Sequence, residues 1–142
     1  MQKYTLGFIF TQDLSRVLLV EKNRPEWQKG KLNAVGGKIE TGEASIACVV
    51  REIFEETGLK TTETDWIFFG ELRGKTWQVD AYVLLHQGDP KDAVTKTDEK
   101  IQWFSVKDIP EHALDNIPWL IHLALDKIRH NEFKNFFIQY HA

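Results

Sequence analysis

Three glutamates, Glu52, Glu55 and Glu56, stand at i, i+3 and i+4 in the segment REIFEETGL. On a helix that spacing makes them neighbours, and like charges there cost roughly a few tenths of a kcal/mol per pair. They also fall in the C-terminal half of the helix, where the macrodipole favours cations over carboxylates. A bound divalent ion removes both penalties, and several hard oxygen ligands suit Mg²⁺ or Mn²⁺. Arg51 directly precedes the cluster and lies four residues before Glu55. Its guanidinium can pair with a carboxylate, either Glu55 or Glu43, and hold it in place. Upstream, Gly36-Gly37 lets the backbone turn tightly and bring a main-chain carbonyl or amide close to a metal or a phosphate.

The element that must carry these groups is a helix over residues 44–57, closed by Gly58 where a left-handed cap is wanted. At about 100° per residue, Ile46, Val50, Ile53 and Phe54 share one side, and Glu52, Glu55 and Glu56 fall almost opposite. The wheel therefore predicts an apolar face on a sheet and a carboxylate face turned away from that core. Strands are expected at Tyr4–Phe10 and Arg16–Val20, joined as a hairpin through Thr11-Gln12-Asp13, and at Leu32–Val35. Residues 22–31, with Pro25 and Gly30, read as a loop. Further strand-like runs occupy 65–70, 77–85 and 101–106, the stretch 87–100 is loop-like, and a second helix is predicted from Pro118 to His130. The aromatic tail, Phe133–Tyr140, suits a strand better than a helix. Short strands mixed with two helices give an α/β (α+β) class, read as a single domain over residues 1–142.

Composition narrows the partners. Forty-two per cent apolar and 27% charged residues are enough for a packed core in a 142-residue chain. A net charge of −3 provides no basic field for duplex nucleic acid. The single cysteine, Cys48, forms no internal disulfide and suits a reducing, cytoplasmic setting. The apolar run Leu6–Phe10 is too short for a signal-peptide core, and no segment approaches the ~20 apolar residues of a membrane span. Ser45 has no His–acid pair near it in sequence, so a nucleophilic triad is not expected.

The stretch GKIETGEASIACVVREIFEETGL matches G-x5-E-x7-R-E-U-x-E-E-x-G-U, with U a bulky aliphatic residue. Gly37, Glu43, Arg51, Glu52, Ile53, Glu55, Glu56, Gly58 and Leu59 fill its nine fixed positions over 23 residues without a departure. On this motif the chain resembles the Nudix, or MutT-like, hydrolases. The resemblance implies an α/β/α sandwich with a mixed sheet. It also implies a small nucleotide substrate and a Mg²⁺ cofactor, with Mn²⁺ as a substitute. By the same resemblance Glu52, Glu55 and Glu56 bind the metal with help from Gly36, and Glu52 activates the attacking water. Either Asp98 or Glu99 supplies a further acid, Glu99 being placed with the metal ligands, while Lys38 contacts phosphate.

Outside the motif, WQKGKLNAVGGKIETGE, TDEKIQWFSVKDIP and the helix from Pro118 look like the oxidised-purine nucleoside triphosphatases of that family. This likeness implies that Asn33 bonds a purine edge, Trp27 walls the base, and Asp115 with Asn116 occupies the base-reading positions. Three of these also have a purely structural alternative: Trp27 as a loop cover, Asn33 as a turn cap, Asp115 at the start of the second helix. The chain departs from those relatives in two places. Asn116 stands where they carry a second acid, and Ala113 where they carry a base-packing tryptophan. The implied reaction is cleavage of a nucleoside triphosphate to a monophosphate and pyrophosphate. Other nucleoside diphosphate-linked substrates, such as a dinucleoside polyphosphate or ADP-ribose, are the alternative within the family. Against that alternative, the proline or tyrosine those enzymes place some distance after the motif is missing, residues 74–77 reading Gly-Lys-Thr-Trp. A non-catalytic nucleotide-sensing domain is the alternative outside enzymes. The oligomeric state is not legible.

Overall fold

In the computed structural model, which describes residues 1–142, the chain runs as β1 (Gln2–Thr11), β2 (Arg16–Glu21), β3 (Leu32–Lys38), α1 (Ser45–Thr57), β4 (Ile67–Arg73), β5 (Trp77–His86), β6 (Ile101–Ser105), α2 (Ile117–Arg129) and β7 (Phe136–Gln139). The strands form one mixed sheet in the order β6-β2-β3-β1-β5-β4-β7. β1–β5 and β4–β7 are parallel; the remaining neighbours are antiparallel.

Side chains alternate across a strand, so this sheet feeds two cores. Phe8 and Phe10 of β1, Val17 and Leu19 of β2, and Ala81 and Val83 of β5 pack with Ile117, Leu120, Ile121 and Ala124 of α2. Ile9, Leu18, Val20, Tyr82 and Leu84 face the other way, onto Val49 and Ile53 of α1. The product is a sheet with a helix on each face, an α/β/α sandwich. No helix is long and apolar enough to cross a membrane.

The predicted elements recur with shifted ends. The second helix starts one residue early, at Ile117, and the tail is a strand of four residues. The run expected at 65–70 begins later and extends to Arg73. Thr62 and Asp65 close a reciprocal capping box around a short 3-10 turn at Glu63–Asp65, and this ends before the strand begins. Gly58 closes α1 at φ 77°, in the left-handed region that glycine adopts without penalty.

One expectation fails. Not every carboxylate of α1 points away from the core: Glu55 is exposed as expected, but Glu56 is buried at 8% exposure, whereas Phe54 is 47% exposed. The buried stripe of α1 is Cys48, Val49, Ile53, Glu56 and Thr57. The helix rests on β3 and β1, and Gly37 of β3, lacking a side chain, leaves room for an α1 carboxylate, that of Glu52, at this contact. Apolarity alone misplaced that stripe.

Candidate active site

The site is assembled where α1 crosses the end of β3. Gly37 has no side chain, and the Glu52 carboxylate occupies the room: a Cβ there would lie 2.4 Å from Glu52 Cδ and 2.5 Å from its Oε1. Gly36 is confined more strictly, because a Cβ would meet the Thr5 carbonyl oxygen of β1 at 2.0 Å. Backbone approach therefore requires Gly36, whereas a side chain at position 37 would have to displace the Glu52 carboxylate.

Arg51 organises the acids around it. Its Nε and Nη2 donate to Glu43 Oε2 and Oε1 at 2.7 and 2.9 Å, a two-pronged pairing. Nη1 donates to Glu52 Oε1 at 2.9 Å and to Glu55 Oε2 at 3.3 Å, and Nη2 also reaches the Lys38 carbonyl at 3.1 Å. The sequence offered Glu43 and Glu55 as alternatives; Arg51 takes both, and Glu52 besides. Its hydrogen bonds, with help from the Glu40 amide, hold the Glu43 carboxyl down at about 2. Glu43 thus remains an anion that anchors Arg51.

Glu56 is in the opposite condition. Burial, and then the neighbouring Glu52 charge, push its carboxyl up to about 8, although Lys22 and the Gly36 amide oppose the shift. Its Oε2 is buried and has no hydrogen-bond partner. Such an atom costs free energy unless something fills its lone pairs. Burial also raises the Glu52 carboxyl, against the pull of Arg51.

Glu99 approaches from the segment before β6. Burial would raise its carboxyl, but the Asn23 amide and the Lys22 ammonium outweigh it and keep the group ionised. Lys22 Nζ lies 3.0 Å from Oε1, and the Asn23 amide 2.7 Å from Oε2. Glu56 is within electrostatic reach of Glu52, Glu99 and Lys22. Of the two acids left open by sequence, Glu99 is thus the one facing the site. Asp98 is exposed and paired with Arg24.

The predicted metal set is brought together only in part. Glu56 lies within electrostatic reach of Glu52 and Glu99, while Glu55 stays more than half exposed on Arg51. As they stand, no three acids, histidines or cysteines are close enough to cage an ion. The donors nonetheless fit one: all are hard oxygens, and the buried Glu56 Oε2 has no hydrogen-bond partner. Lys38 ends β3 with an exposed side chain beside a shallow recess that Lys3, Glu40 and Glu43 also line.

The residues expected to bind the base lie toward the other end of β3. The Leu32 amide donates to the His112 carbonyl at 3.1 Å, and its carbonyl accepts from the Leu114 amide at 2.9 Å. Asn33 and Asp115, each one residue further on, are thereby held to the same end. Asn33 Nδ2 donates to Gln28 Oε1 at 3.1 Å. Asp115 is exposed; Asn116 opens α2 without capping it and donates to Tyr140 Oη at 3.5 Å. Trp27 is 68% exposed and covers nothing. Ala113 is buried in the α2-side core, so that position cannot stack a base.

Several participants left no local sequence signal. Lys22 and Asn23 meet Glu99 across 77 and 76 residues. Ser45, unpaired by sequence, donates to Asp80 Oδ2 at 2.6 Å and accepts from Tyr82 Oη at 2.8 Å. No histidine joins that group, so it orients the start of α1. Cys48 is buried, and that burial pushes its thiol up to about 11, an unreactive state.

Comparison with known proteins places the chain in a family. The NUDIX domain family model matches residues 1–123. The zebrafish (Danio rerio) protein named oxidized purine nucleoside triphosphate hydrolase is 32% identical over 121 residues, covering 80% of this chain and 75% of that protein. Among solved structures, a MutT protein of Bacillus halodurans superposes with a TM-score of 0.67 at 20% identity, covering 99% of this chain and 91% of that one. An ADP-ribose pyrophosphatase of Streptococcus suis gives 0.72 at 20% identity, covering 96% and 98%. The extent of the family match, the relative's identity and the glutamate helix packed on Gly36-Gly37 converge: the chain is a hydrolase of the Nudix family.

Proposed function

We propose that residues 1–142 act as a single-domain, Mg²⁺-dependent pyrophosphohydrolase that cleaves nucleoside triphosphates, including oxidised purine forms, to a monophosphate and pyrophosphate. The observation that carries this reading is the buried, unpartnered Glu56 oxygen beside Glu52 at the glycine pair. The likeness to a protein named for oxidised purine nucleoside triphosphates supports the substrate class.

Glu52, Glu56 and Glu99, with Gly36, would hold the cation, and Glu55 would complete the set from the solvent side. When bound, a divalent cation offsets phosphate charge and acidifies a coordinated water. The chain's own groups then divide the work. Arg51 fixes Glu52 through Oε1, leaving Oε2 free of hydrogen bonds to take the proton from water. The water oxygen bonds to one phosphorus of the α–β anhydride, that bond breaks, and the departing phosphate oxygen keeps the electron pair, giving the monophosphate and pyrophosphate. Lys38 balances phosphate charge. Trp27, Asn33, Asp115 and Asn116 bind the base, where the Asn116 amide can both donate and accept.

The test is a panel of canonical and oxidised dNTPs, a dinucleoside polyphosphate and ADP-ribose, each assayed with Mg²⁺, with Mn²⁺ and with EDTA, identifying products. Pyrophosphate release from an oxidised purine dNTP, abolished by EDTA, is expected. Faster cleavage of ADP-ribose than of every triphosphate would assign the other substrate class.

A further inference from the structure

The loop between β2 and β3 carries Trp27 outward and has no buried residue in its 3-10 turn, Glu26–Gln28. Its internal bonds close only the neck, Lys22 N–H to the Lys31 carbonyl at 2.9 Å and Gly30 N–H to the Lys22 carbonyl at 2.8 Å, or turn on themselves between Pro25 and Lys31. What orients its first limb is the distant segment Asp98–Glu99. The Asn23 and Arg24 amides both point at Glu99 Oε2, at 2.7 and 3.3 Å. Asn23 Nδ2 donates to the Asp98 carbonyl at 2.6 Å. Arg24 Nη1 and Nη2 grip Asp98 Oδ1 and Oδ2 in a two-pronged pair. The receiving segment is itself fixed, since the Glu99 amide bonds Thr97 Oγ1 and the Ile101 amide bonds Thr95 Oγ1.

We propose that the Arg24–Asp98 pair is a strut that sets the Trp27 loop, and through Gln28 and Asn33 the base side of the site, from the same segment that presents Glu99 to the cation side. Arg24 and Asp98 are positioning residues; neither is assigned a contact with substrate. The idea rests on the nucleotide-hydrolysis reading for its kinetic part only. Because both side chains are exposed, the pair is screened by salt and its worth is modest.

Arg24→Ala, Asp98→Ala and the charge-exchanged double variant Arg24→Asp/Asp98→Arg test it, with hydrogen exchange at residues 23–30 and steady-state kinetics on the best triphosphate. Each single variant is expected to speed exchange in that segment and raise KM about two- to five-fold, while kcat changes less than two-fold. The exchanged pair should recover most of both effects. Raising salt should increase KM in the wild type more than in either alanine variant. Unchanged exchange in the single variants, a fall in kcat as large as the rise in KM, or no recovery on exchange overturns the strut. If the wild type cleaves no nucleotide, the hydrolysis reading fails, and hydrogen exchange with recovery on charge exchange still decides the strut.

Discussion

Glu52 lies over Gly37 so closely that one methyl group on the glycine would collide with its carboxylate, at 2.4 Å from Cδ. The packing of α1 on β3 and the position of the acid are thus one constraint.

Gly37→Ala must therefore move Glu52 or part α1 from β3. Overpacking of this kind costs about 1–3 kcal/mol. A displacement near 1 Å at the chemistry lowers turnover about 10²-fold. Thermal melting and kcat on the same triphosphate measure the two effects, and a variant with near wild-type kcat would show that the Glu52 position is irrelevant.

Arg51→Lys keeps the charge and loses the fork that grips Glu43 while reaching Glu52 and Glu55. A loss of activity or cation affinity of roughly ten- to hundred-fold is expected, in line with other residues that orient metal ligands. Titration with Mg²⁺ separates the two, and full activity would show that a point charge suffices.

Glu56 makes stability depend on pH in a definite direction. Its folded carboxyl sits near 8, above its ordinary 4.5. The folded, cation-free protein therefore binds a proton more tightly than the unfolded chain does. That contribution is fully present below the unfolded value and is lost as pH rises through about 8. Glu52 is shifted in the same direction. Glu43 titrates near 2, outside this window. Melting temperature in EDTA should fall between pH 5 and pH 8, and Glu56→Gln should flatten that fall while abolishing Mg²⁺-dependent turnover. Mg²⁺ should raise the melting temperature more at pH 8 than at pH 6, because it binds the ionised carboxylate. A Mg²⁺ effect equal at both pH values would argue against Glu56 as a ligand.

Asn33→Ala removes the partner of Gln28 and a polar edge at the base side. KM for the preferred triphosphate should rise about ten-fold or more, with kcat on a poor substrate little changed. Equal losses across all nucleotides would mean that Asn33 does not read the base.

The sequence was informative about chemistry because the motif is local. Glu52, Glu55, Glu56, Arg51 and the glycines lie within about two dozen residues, and their spacing already implies a helix with a cation at its side. Strand positions were also accessible as short β-rich runs, as around Phe8, Ile9 and Phe10, although only the structure shows that these feed opposite cores. Where β4 starts was not, since the Thr62–Asp65 box competes with the apolar run for the same backbone.

By itself, then, the sequence determined the carboxylate helix, its glycine stop, the mixed α/β class and the family's reaction type, because each depends on residues near one another in the chain. Only the tertiary structure decided which side of α1 is buried, which of Asp98 and Glu99 faces the site, and what holds the Trp27 loop. The wheel placed Glu56 in solvent, yet packing on β3 buried it, since the face a helix presents is set by its neighbour as well as by its own apolarity. Asp98 and Glu99 are adjacent acids with the same local credentials. Contacts made by residues 22–24, more than 70 positions away, turn one toward the site and the other toward Arg24.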